Sequence, residues 1–264
     1  MNIRYSLLPY TYTLFHKAHQ AGETVLRALA WEFPDDEDIK AVDNSFMSGP
    51  SLLVMPVLAP LATTVQGVLP GIAAGTVWYD WYTFNKIDAS PGENKTFDAP
   101  LLHQPIFIRG GSIIPVQKAG NTTSTSRTHP WSLIIALDQN GEASGDLYLD
   151  DGVSLVQQAT KSVKVSGDSI VIQGKRTDIN QFTFSNNTFT AQVTGNYKDT
   201  NPLANITIAG YTSNASIDTS GSSCDTSQAN FAVHNGTLYI TNLQSATPNG
   251  AWSQDTSIVI ALNN

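Results

Sequence analysis

The amino-acid sequence predicts a mainly β protein in which one N-terminal helix is followed by two antiparallel β-sandwich domains. Helical spacing of apolar residues is confined to residues 3–20, and after Gly22 the apolar residues come in short runs separated by Pro and Gly. A polar stretch of small residues at 118–130 then divides the β-rich part of the chain in two. With 264 residues, the chain is long enough for one large or two smaller domains.

Residues 3–20 carry the helical pattern. The apolar stripe of this segment comprises Ile3, Leu7, Leu8, Tyr10, Leu14 and Phe15. Pro9 lies inside the stripe and should kink or divide the helix, because proline cannot donate the backbone hydrogen bond of a helix interior. Ala21 and Gly22 should end the helix. Because no second convincing helix follows, we expect the stripe to lack a partner within the chain and to pack against an upstream segment.

The chain between the helix and residue 118 is predicted to form the first β domain. Residues 51–58 are a continuous apolar run closed by an Ala-Pro pair, which is typical of a buried strand. The Gly-Gly pair at 110–111 predicts a turn. The shorter strand candidates are residues 65–69, 77–82, 106–108 and 112–116.

Beyond residue 130 the sequence shows short strands with turns at close spacing, as in an all-β sandwich. Asn235 and Gly236 form the strongest hairpin dipeptide in the chain. The strand candidates are residues 133–137, 146–149, 163–165, 170–172, 182–184, 189–193, 231–233, 238–240 and 257–262. The polar stretch at 118–130 is the best internal boundary, with a long surface loop as the alternative interpretation. The predicted parts are a terminal helix, a proximal β-sandwich and a distal β-sandwich, at residues 1–21, 22–118 and 119–264.

Charge, hydropathy and missing motifs exclude several function classes. The net charge is −8 at pH 7 and no basic stripe is visible, so nucleic acid is not expected as a partner. No window reaches the roughly 18 apolar residues needed to span a bilayer, and residues 1–20 lack the apolar core and cleavage site of a signal peptide. Glycine-rich phosphate-binding motifs and the nucleophile elbow are also absent, and we expect no cofactor.

Cysteine and sequon counts bear on the compartment. Cys224 is the single cysteine, so no disulfide can form within the chain. It is either a buried or free thiol or is bonded to a cysteine outside the chain. Six Asn-x-Ser/Thr sequons favour an extracellular, secreted glycoprotein, or one of the cell wall or vacuole, although a chain rich in Asn, Ser and Thr also produces sequons by chance. The glycosylation candidates are Asn94, Asn121, Asn186, Asn205, Asn214 and Asn235.

Three polar clusters could begin metal sites, and each has a simpler interpretation. His16 and His19 lie three residues apart on the helix, but no third ligand is near, so we expect both to face solvent. Residues 138–142 start like a calcium loop but lack its glycine and its bidentate glutamate, so a polar hairpin turn is expected. The acidic run at residues 35–38 is interpreted as a solvated loop rather than a calcium site.

An aromatic cluster and a carboxylate pair are candidates for sugar-binding or catalytic groups. The cluster consists of four aromatic residues that could stack on sugar rings: Trp78, Tyr79, Trp81 and Tyr82. Because alternation along a strand sends neighbouring side chains to opposite faces, we expect these residues to pack in a core or a domain interface instead. Paired carboxyl groups that act on one glycosidic bond with retention must converge to about 5–5.5 Å. Asp150 and Asp151 are adjacent and point in opposite directions while extended, so a strand end with Asx-type turns is expected. We assign no catalytic, cofactor-binding or metal residue.

Several sequence segments occur in a fixed order along residues 2–155, and their combined order is a more specific sign of family membership than any single segment. They are residues 3–12, 25–34, 46–49, 53–57, 77–80, 107–115, 133–138 and 143–152. Together they resemble the C-terminal portion of a fungal-type α-glucosidase of glycoside hydrolase family 31. The first segment resembles the helix after the last barrel strand, the second resembles the exit from the barrel, and the others resemble two C-terminal β-domains. Residues 156–264 match mainly by position and β pattern.

The resemblance implies a retaining α-glucosidase that hydrolyses terminal α-glucosidic bonds of maltose and oligosaccharides. Its catalytic aspartates would lie in barrel motifs that this chain does not contain, so the chain alone would be inactive. Residues 1–21 would be the last helix of a missing TIM barrel. The implied partner is the upstream catalytic barrel of the same enzyme, which would bind the α-glucoside substrate. The alternatives are a stand-alone secreted carbohydrate-binding β-sandwich protein and, third, an α-xylosidase or processing glucosidase.

Overall fold

The computed structural model of the chain describes residues 1–153, 180–185, 188–192, 199–211, 217–218, 225, 227–252 and 260–262. The α-helices in these ranges are α1 (Asn2–Ser6), α2 (Leu8–Ala21), α3 (Leu29–Glu32) and α4 (Thr123–Ser126). Short 3-10 turns occur at Glu37–Ile39, Ile72–Ala74 and Gln244–Ala246. None of the helices in the described ranges has the length and apolar character that a membrane crossing requires.

Strands make up most of the regular structure. In chain order they are β1 (Leu26–Ala28), β2 (Phe46–Ser48), β3 (Leu52–Val54), β4 (Thr64–Val68), β5 (Trp78–Asp80), β6 (Asn94–Asp98), β7 (Ile106–Arg109), β8 (Ser112–Gln117), β9 (Trp131–Ala136), β10 (Ala143–Leu147), β11 (Asn180–Ser185), β12 (Thr188–Gln192), β13 (Leu203–Ala209), β14 (Ile217–Asp218), β15 (Asn230–His234), β16 (Thr237–Thr241) and β17 (Ile260–Leu262).

In the described part of the chain the strands form three sheets. A five-stranded sheet has the order β1-β2-β3-β7-β5, and β4 pairs with β6 in a separate two-stranded sheet. A ten-stranded sheet has the order β14-β17-β12-β11-β10-β8-β9-β13-β16-β15. Strand β9 pairs with β13, and β8 with β10, in parallel, whereas the other pairs are antiparallel. The predicted fold class, mainly β with an N-terminal helical segment, is confirmed.

The N-terminal helix is divided where the proline predicted a break. Helix α1 ends at Ser6, Leu7 separates it from α2, and Pro9 occupies the first turn of α2, where a missing N–H costs nothing. Gly22 ends α2 in the left-handed conformation, with a φ of 73°.

The expectation that the helical stripe lacks a partner within the chain is wrong. Tyr10 and Leu14 are 5% and 4% exposed and pack into a core that the chain itself supplies. The Tyr10 hydroxyl donates to the carbonyl of Ser48 at 2.8 Å. Gly49 permits this close approach, since a Cβ there would lie 2.4 Å from that hydroxyl, and its φ is 57°.

Three apolar clusters are stacked through the two larger sheets. In the five-stranded sheet, strand alternation sends Phe107 into an outer cluster and Ile108 into a central one. In the ten-stranded sheet, Ile114 faces the central cluster and Ile113 faces a third one on the opposite side. Both sheets are therefore buried on both faces along these strands, which explains their continuous apolar sequence.

The central cluster joins helix α2 to both sheets. Its members are Tyr10, Leu14, Leu52, Val77, Tyr79, Trp81, Ile106, Ile108, Ile114, Ile134, Ala136 and Ala209. The hydroxyl of Tyr79, on β5, donates to the Leu137 carbonyl at 2.8 Å, just after β9. Gly210 makes room for this bridge, because a Cβ there would lie 2.2 Å from the Tyr79 hydroxyl.

Several strand predictions differ in extent from the structure. The predicted strand at 51–58 ends its regular pairing at Val54, because Pro56 cannot donate to a ladder. The hairpin at Asn235 and Gly236 is confirmed, with φ values of 48° and 73°. The predicted strands at 163–165 and 170–172 lie outside the described residues.

The domain boundary after residue 118 stays a prediction. Strand β8 precedes it in the chain but pairs along its whole length with β9, which follows it. The proximal and distal parts therefore share a sheet as well as the central cluster.

Removing the hydroxyl that bridges the two sheets tests how strongly they are joined. Tyr79→Phe should lower the free energy of unfolding by about 1–3 kcal/mol, because a buried acceptor loses its donor. Tyr82→Phe is the matched control, since the Tyr82 hydroxyl donates to the Gln104 carbonyl at an exposed position. Denaturant unfolding of both variants gives the comparison, and equal losses would contradict a buried bridge.

Candidate functional site

The structure places the two helix histidines in different environments. His16 is buried, so the expectation that it faces solvent is wrong. Its ring stacks on Tyr148, with 3.7 Å between centroids and 13° between planes, because the chain after β10 covers this side of α2. His19 is exposed, as expected. In the part of the chain that the structure describes, no group of three His, Cys, Asp or Glu residues could hold a metal ion.

The acidic segments form hydrogen-bonded turns. One carboxylate oxygen of Asp138 accepts the backbone N–H groups of Asn140 and Glu142, at 2.8 and 2.9 Å, which gives the expected polar turn. In the acidic run at 35–38, the Asp36 carboxylate accepts the N–H of Gly71 at 2.7 Å.

The aromatic cluster is divided between two cores, as strand alternation predicted. Trp78 packs in the outer cluster, and its indole N–H donates to the Pro70 carbonyl at 2.8 Å. Tyr79 and Trp81 belong to the central cluster. Tyr82 remains partly exposed and stacks on His103 at 4.0 Å.

Asp150 and Asp151 each cap the backbone two residues ahead. Asp150 accepts the N–H of Gly152 at 2.8 Å, and Asp151 accepts the N–H of Val153 at 3.0 Å. These are the expected Asx-type turns. Each carboxylate therefore caps its own backbone turn, as expected at a strand end.

A cavity of about 270 Å3 opens between the N-terminal half of α2, α4 and the ends of β8, β9 and β10. We call it the α2–α4 cavity. Its lining residues are Leu8, Pro9, Tyr12, Gln117, Thr123, Ser126, Arg127, Trp131, Tyr148, Leu149, Asp150, Asp199 and Asn201.

Two hydrogen-bonded carboxylates lie in the wall of this cavity. Asp150 accepts the Tyr12 hydroxyl at 2.6 Å and lies 3.5 Å from an Arg127 nitrogen, which also donates to the Asp150 carbonyl. Partial burial, followed by the hydrogen bond to Asp150, raises the pKa of Tyr12 to about 12, so this hydroxyl stays a donor. Asp199 is buried and accepts the indole N–H of Trp131.

Two amide side chains complete the polar wall. Gln117 is 3% exposed and donates to the carbonyl of His129 at 2.8 Å. Asn201 donates to the carbonyl of Arg127 at 2.8 Å and to Asp199 at 2.7 Å. Both amide groups thus hold the loop that carries Arg127.

The sequence did not predict this cavity. Its walls come from segments separated by more than 100 residues, such as Tyr12 and Asp150, and no motif links them. In the sequence, Asp150 stands out only as the neighbour of Asp151. The pairing of Tyr12 with Asp150 depends on the packing of α2 beside β10, which periodicity does not indicate.

The glycosylation candidates lie in different surroundings. Three of them are exposed in the structure: Asn94, Asn121 and Asn235. Asn205 is half-buried in β13, and its amide donates to the Ser132 hydroxyl at 3.3 Å. Two further candidates, Asn186 and Asn214, lie outside the described residues, as does Cys224. Glycosylation itself stays a prediction at every position.

Comparison with known proteins identifies the class. Residues 22–114 match the sequence profile of the glycosyl hydrolase family 31 C-terminal domain. A solved structure of a glucosidase II alpha subunit shares the fold, with a TM-score of 0.74 and 23% identity over 99% of this chain and 28% of that chain. The chain is a C-terminal portion of a family 31 glycosyl hydrolase.

Two fungal enzymes are similar to this chain along nearly its whole length. The α-glucosidase of Aspergillus oryzae is 46% identical, and that of Aspergillus niger 44%, over 97% of this chain. The chain spans only 24% of the length of either relative. It thus corresponds to a non-catalytic part of such enzymes, and catalytic activity of this chain alone is not expected.

The buried His16 should make stability depend on pH. Burial, reinforced by the charges of His19 and Lys17 and opposed by Asp150, lowers the pKa of His16. The unfolded chain takes up this proton near pH ~6.5. Below that pH the unfolded state therefore binds more protons, and the free energy of unfolding falls as the pH falls.

His16→Phe keeps a ring that can stack on Tyr148 but removes the titration. We expect the loss of stability between about pH 7.5 and pH 5.5 to be smaller in this variant than in the wild type. His19→Phe, at an exposed position of the same helix, is the control. Urea unfolding at both pH values measures the difference, and an equal pH dependence in His16→Phe and wild type would show that His16 does not contribute.

Proposed function

We propose that the chain is the framework part of a retaining α-glucosidase that hydrolyses terminal α-glucosidic bonds of maltose and oligosaccharides. In this proposal a catalytic barrel precedes the chain in the same enzyme and carries both the substrate site and the catalytic aspartates. The chain supports and closes that barrel. The observation that carries the proposal is the 46% identity to an α-glucosidase over 97% of this chain.

Exposed apolar side chains of the N-terminal segment support a contact with the barrel. Phe15 on α2, Leu26 on β1 and Trp31 on α3 are 58%, 64% and 70% exposed. Phe15 is exposed although Tyr10 and Leu14 of the same helix are buried, so it lies outside the internal packing of α2. Covering a Phe side chain contributes about 1.5–3 kcal/mol, so these residues favour a partner surface.

A second set of exposed leucines lies on two adjacent loops. The loops are adjacent because Ala99 donates to the Thr63 carbonyl at 2.7 Å and Met55 to the Pro105 carbonyl at 3.2 Å. Their tips present Leu58, Leu61, Leu101 and Leu102, which are almost fully exposed except for Leu58. Clusters of exposed apolar side chains usually mark interaction sites, and we assign this one to the same enzyme's upstream part.

The stand-alone carbohydrate-binding protein remains the second candidate. The buried face of α2 removes one argument against it, because that face no longer needs an upstream partner. The α2–α4 cavity, with aromatic and polar walls, is the observation that favours it. The sequence identity to α-glucosidases along nearly the whole chain favours the first candidate, the framework part of an α-glucosidase.

We also propose that the protein is a secreted glycoprotein, supported by sequons at the exposed Asn94, Asn121 and Asn235. When a yeast secretes the protein, treatment with a glycan-removing amidase should lower its mass. Asn94→Gln, Asn121→Gln and Asn235→Gln should each remove part of that mass shift, whereas Asn205→Gln tests a half-buried position. A secreted chain whose mass does not change on treatment would contradict this part of the proposal.

The framework role predicts an inactive chain that binds its barrel. The purified chain should not hydrolyse maltose or a chromogenic α-glucoside, and it should co-purify with the catalytic part when the two are co-expressed. Phe15→Glu should weaken that association at least about tenfold, because each 1.4 kcal/mol corresponds to a factor of ten. Val233→Glu, on exposed strand β15, is the matched control. Turnover by the rigorously purified chain would defeat the proposal.

A further inference from the structure

We propose that the α2–α4 cavity binds a neutral pyranose ring and is a sugar-binding subsite carried entirely by this chain. The inference goes beyond the proposed function, because it needs neither the barrel nor its catalytic groups. Phe15, which we assign to the barrel contact, does not line the cavity. The two proposals therefore rest on different side chains.

The size and apolar wall of the cavity suit a sugar ring. Its volume of about 270 Å3 lies just below the range of about 300–1,000 Å3 that is typical of ligand sites, which favours a monosaccharide or disaccharide. Tyr12 is 42% exposed at the wall, so its ring is accessible to a ligand. The C–H faces of pyranose rings pack on aromatic faces of this kind.

The polar wall provides hydrogen-bonding groups of the kind that hydroxyl groups need. Each sugar hydroxyl both donates and accepts, and planar amide, carboxylate and guanidinium groups can bond two neighbouring hydroxyls at once. Gln117 is 3% exposed and uses its amide nitrogen to bond the carbonyl of His129, which leaves its amide oxygen, on the cavity wall, as an acceptor for a ligand hydroxyl.

Charge argues against other ligand classes. Among the residues that the structure describes, the wall holds one guanidinium, of Arg127, and two carboxylates, of Asp150 and Asp199, and the guanidinium is already paired with Asp150. An anion would therefore meet net negative charge. A purely apolar ligand would remove these charged and polar groups from water without offering them a hydrogen bond, which costs free energy.

A sugar ring could reach the cavity from two sources. One is a soluble glucan. The other is a glycan on the chain itself, because the sequon of the exposed Asn121 ends at Thr123, which lines the cavity. The first ring of a glycan on Asn121 would thus start beside the cavity mouth. The recognition chemistry is the same for both sources.

The test uses the full 264-residue chain made in bacteria, without glycans, and ligand-observed NMR titration with two probes. Maltose represents the soluble glucan, and N,N′-diacetylchitobiose represents the sugar pair that is attached to asparagine. We expect saturable binding of one probe, whose identity decides the source. Tyr12→Ala should weaken binding at least about tenfold, whereas Tyr12→Phe, which keeps the ring, should weaken it less.

Two further variants keep the test decisive if Tyr12→Ala disturbs the fold. Thr123→Trp fills the mouth from an exposed position and should abolish binding while near-UV circular dichroism stays native. Tyr82→Ala removes an exposed aromatic ring elsewhere and should bind like the wild type. Failure of both probes to bind the wild-type chain would overturn the proposal, and so would undiminished binding by a natively folded Thr123→Trp variant.

Discussion

The central apolar cluster, in which helix α2 and the two larger sheets meet, is the constraint on which the rest of the structure depends. Tyr10 connects the helix to the five-stranded sheet through the Ser48 carbonyl. Tyr79 connects that sheet to the ten-stranded one through the Leu137 carbonyl. Both hydroxyls are buried, so each bridge is made where an unpaired acceptor would be costly. The helix is thereby fixed to the β part of the chain whatever lies upstream.

The same packing builds the cavity. Thr13 of α2 accepts the backbone N–H of Tyr148 at 2.9 Å, and Lys17 pairs with Asp146 on β10. These contacts hold the helix beside β10, which brings Tyr12 to Asp150 and stacks His16 on Tyr148. The buried face of α2 therefore serves the internal structure, and Phe15 is left for the proposed barrel contact.

Local patterns predicted much of the fold but little of the cavity. Pro9, Gly22 and the Asn235-Gly236 pair specify backbone geometry directly, so the helix break, its end and the hairpin were predictable. The alternation of Trp78 and Tyr79 likewise follows from strand geometry. The burial of His16 and the partner of α2 depend on contacts between segments far apart in sequence, which periodicity does not indicate. The strand at 51–58 was predicted too long because an apolar run continued past the last paired residue.

Native-state hydrogen exchange tests the shared core most directly. If α2, β7 and β9 form one cooperative unit, their slowest amides should exchange with the same free energy of opening, close to that of global unfolding. Tyr79→Phe should then lower the free energy of opening of the amides in α2, β7 and β9 by the same amount. Amides of α2 that opened at a much lower free energy than those of β7 and β9 would contradict a shared core, because the helix would then be held by something other than this cluster.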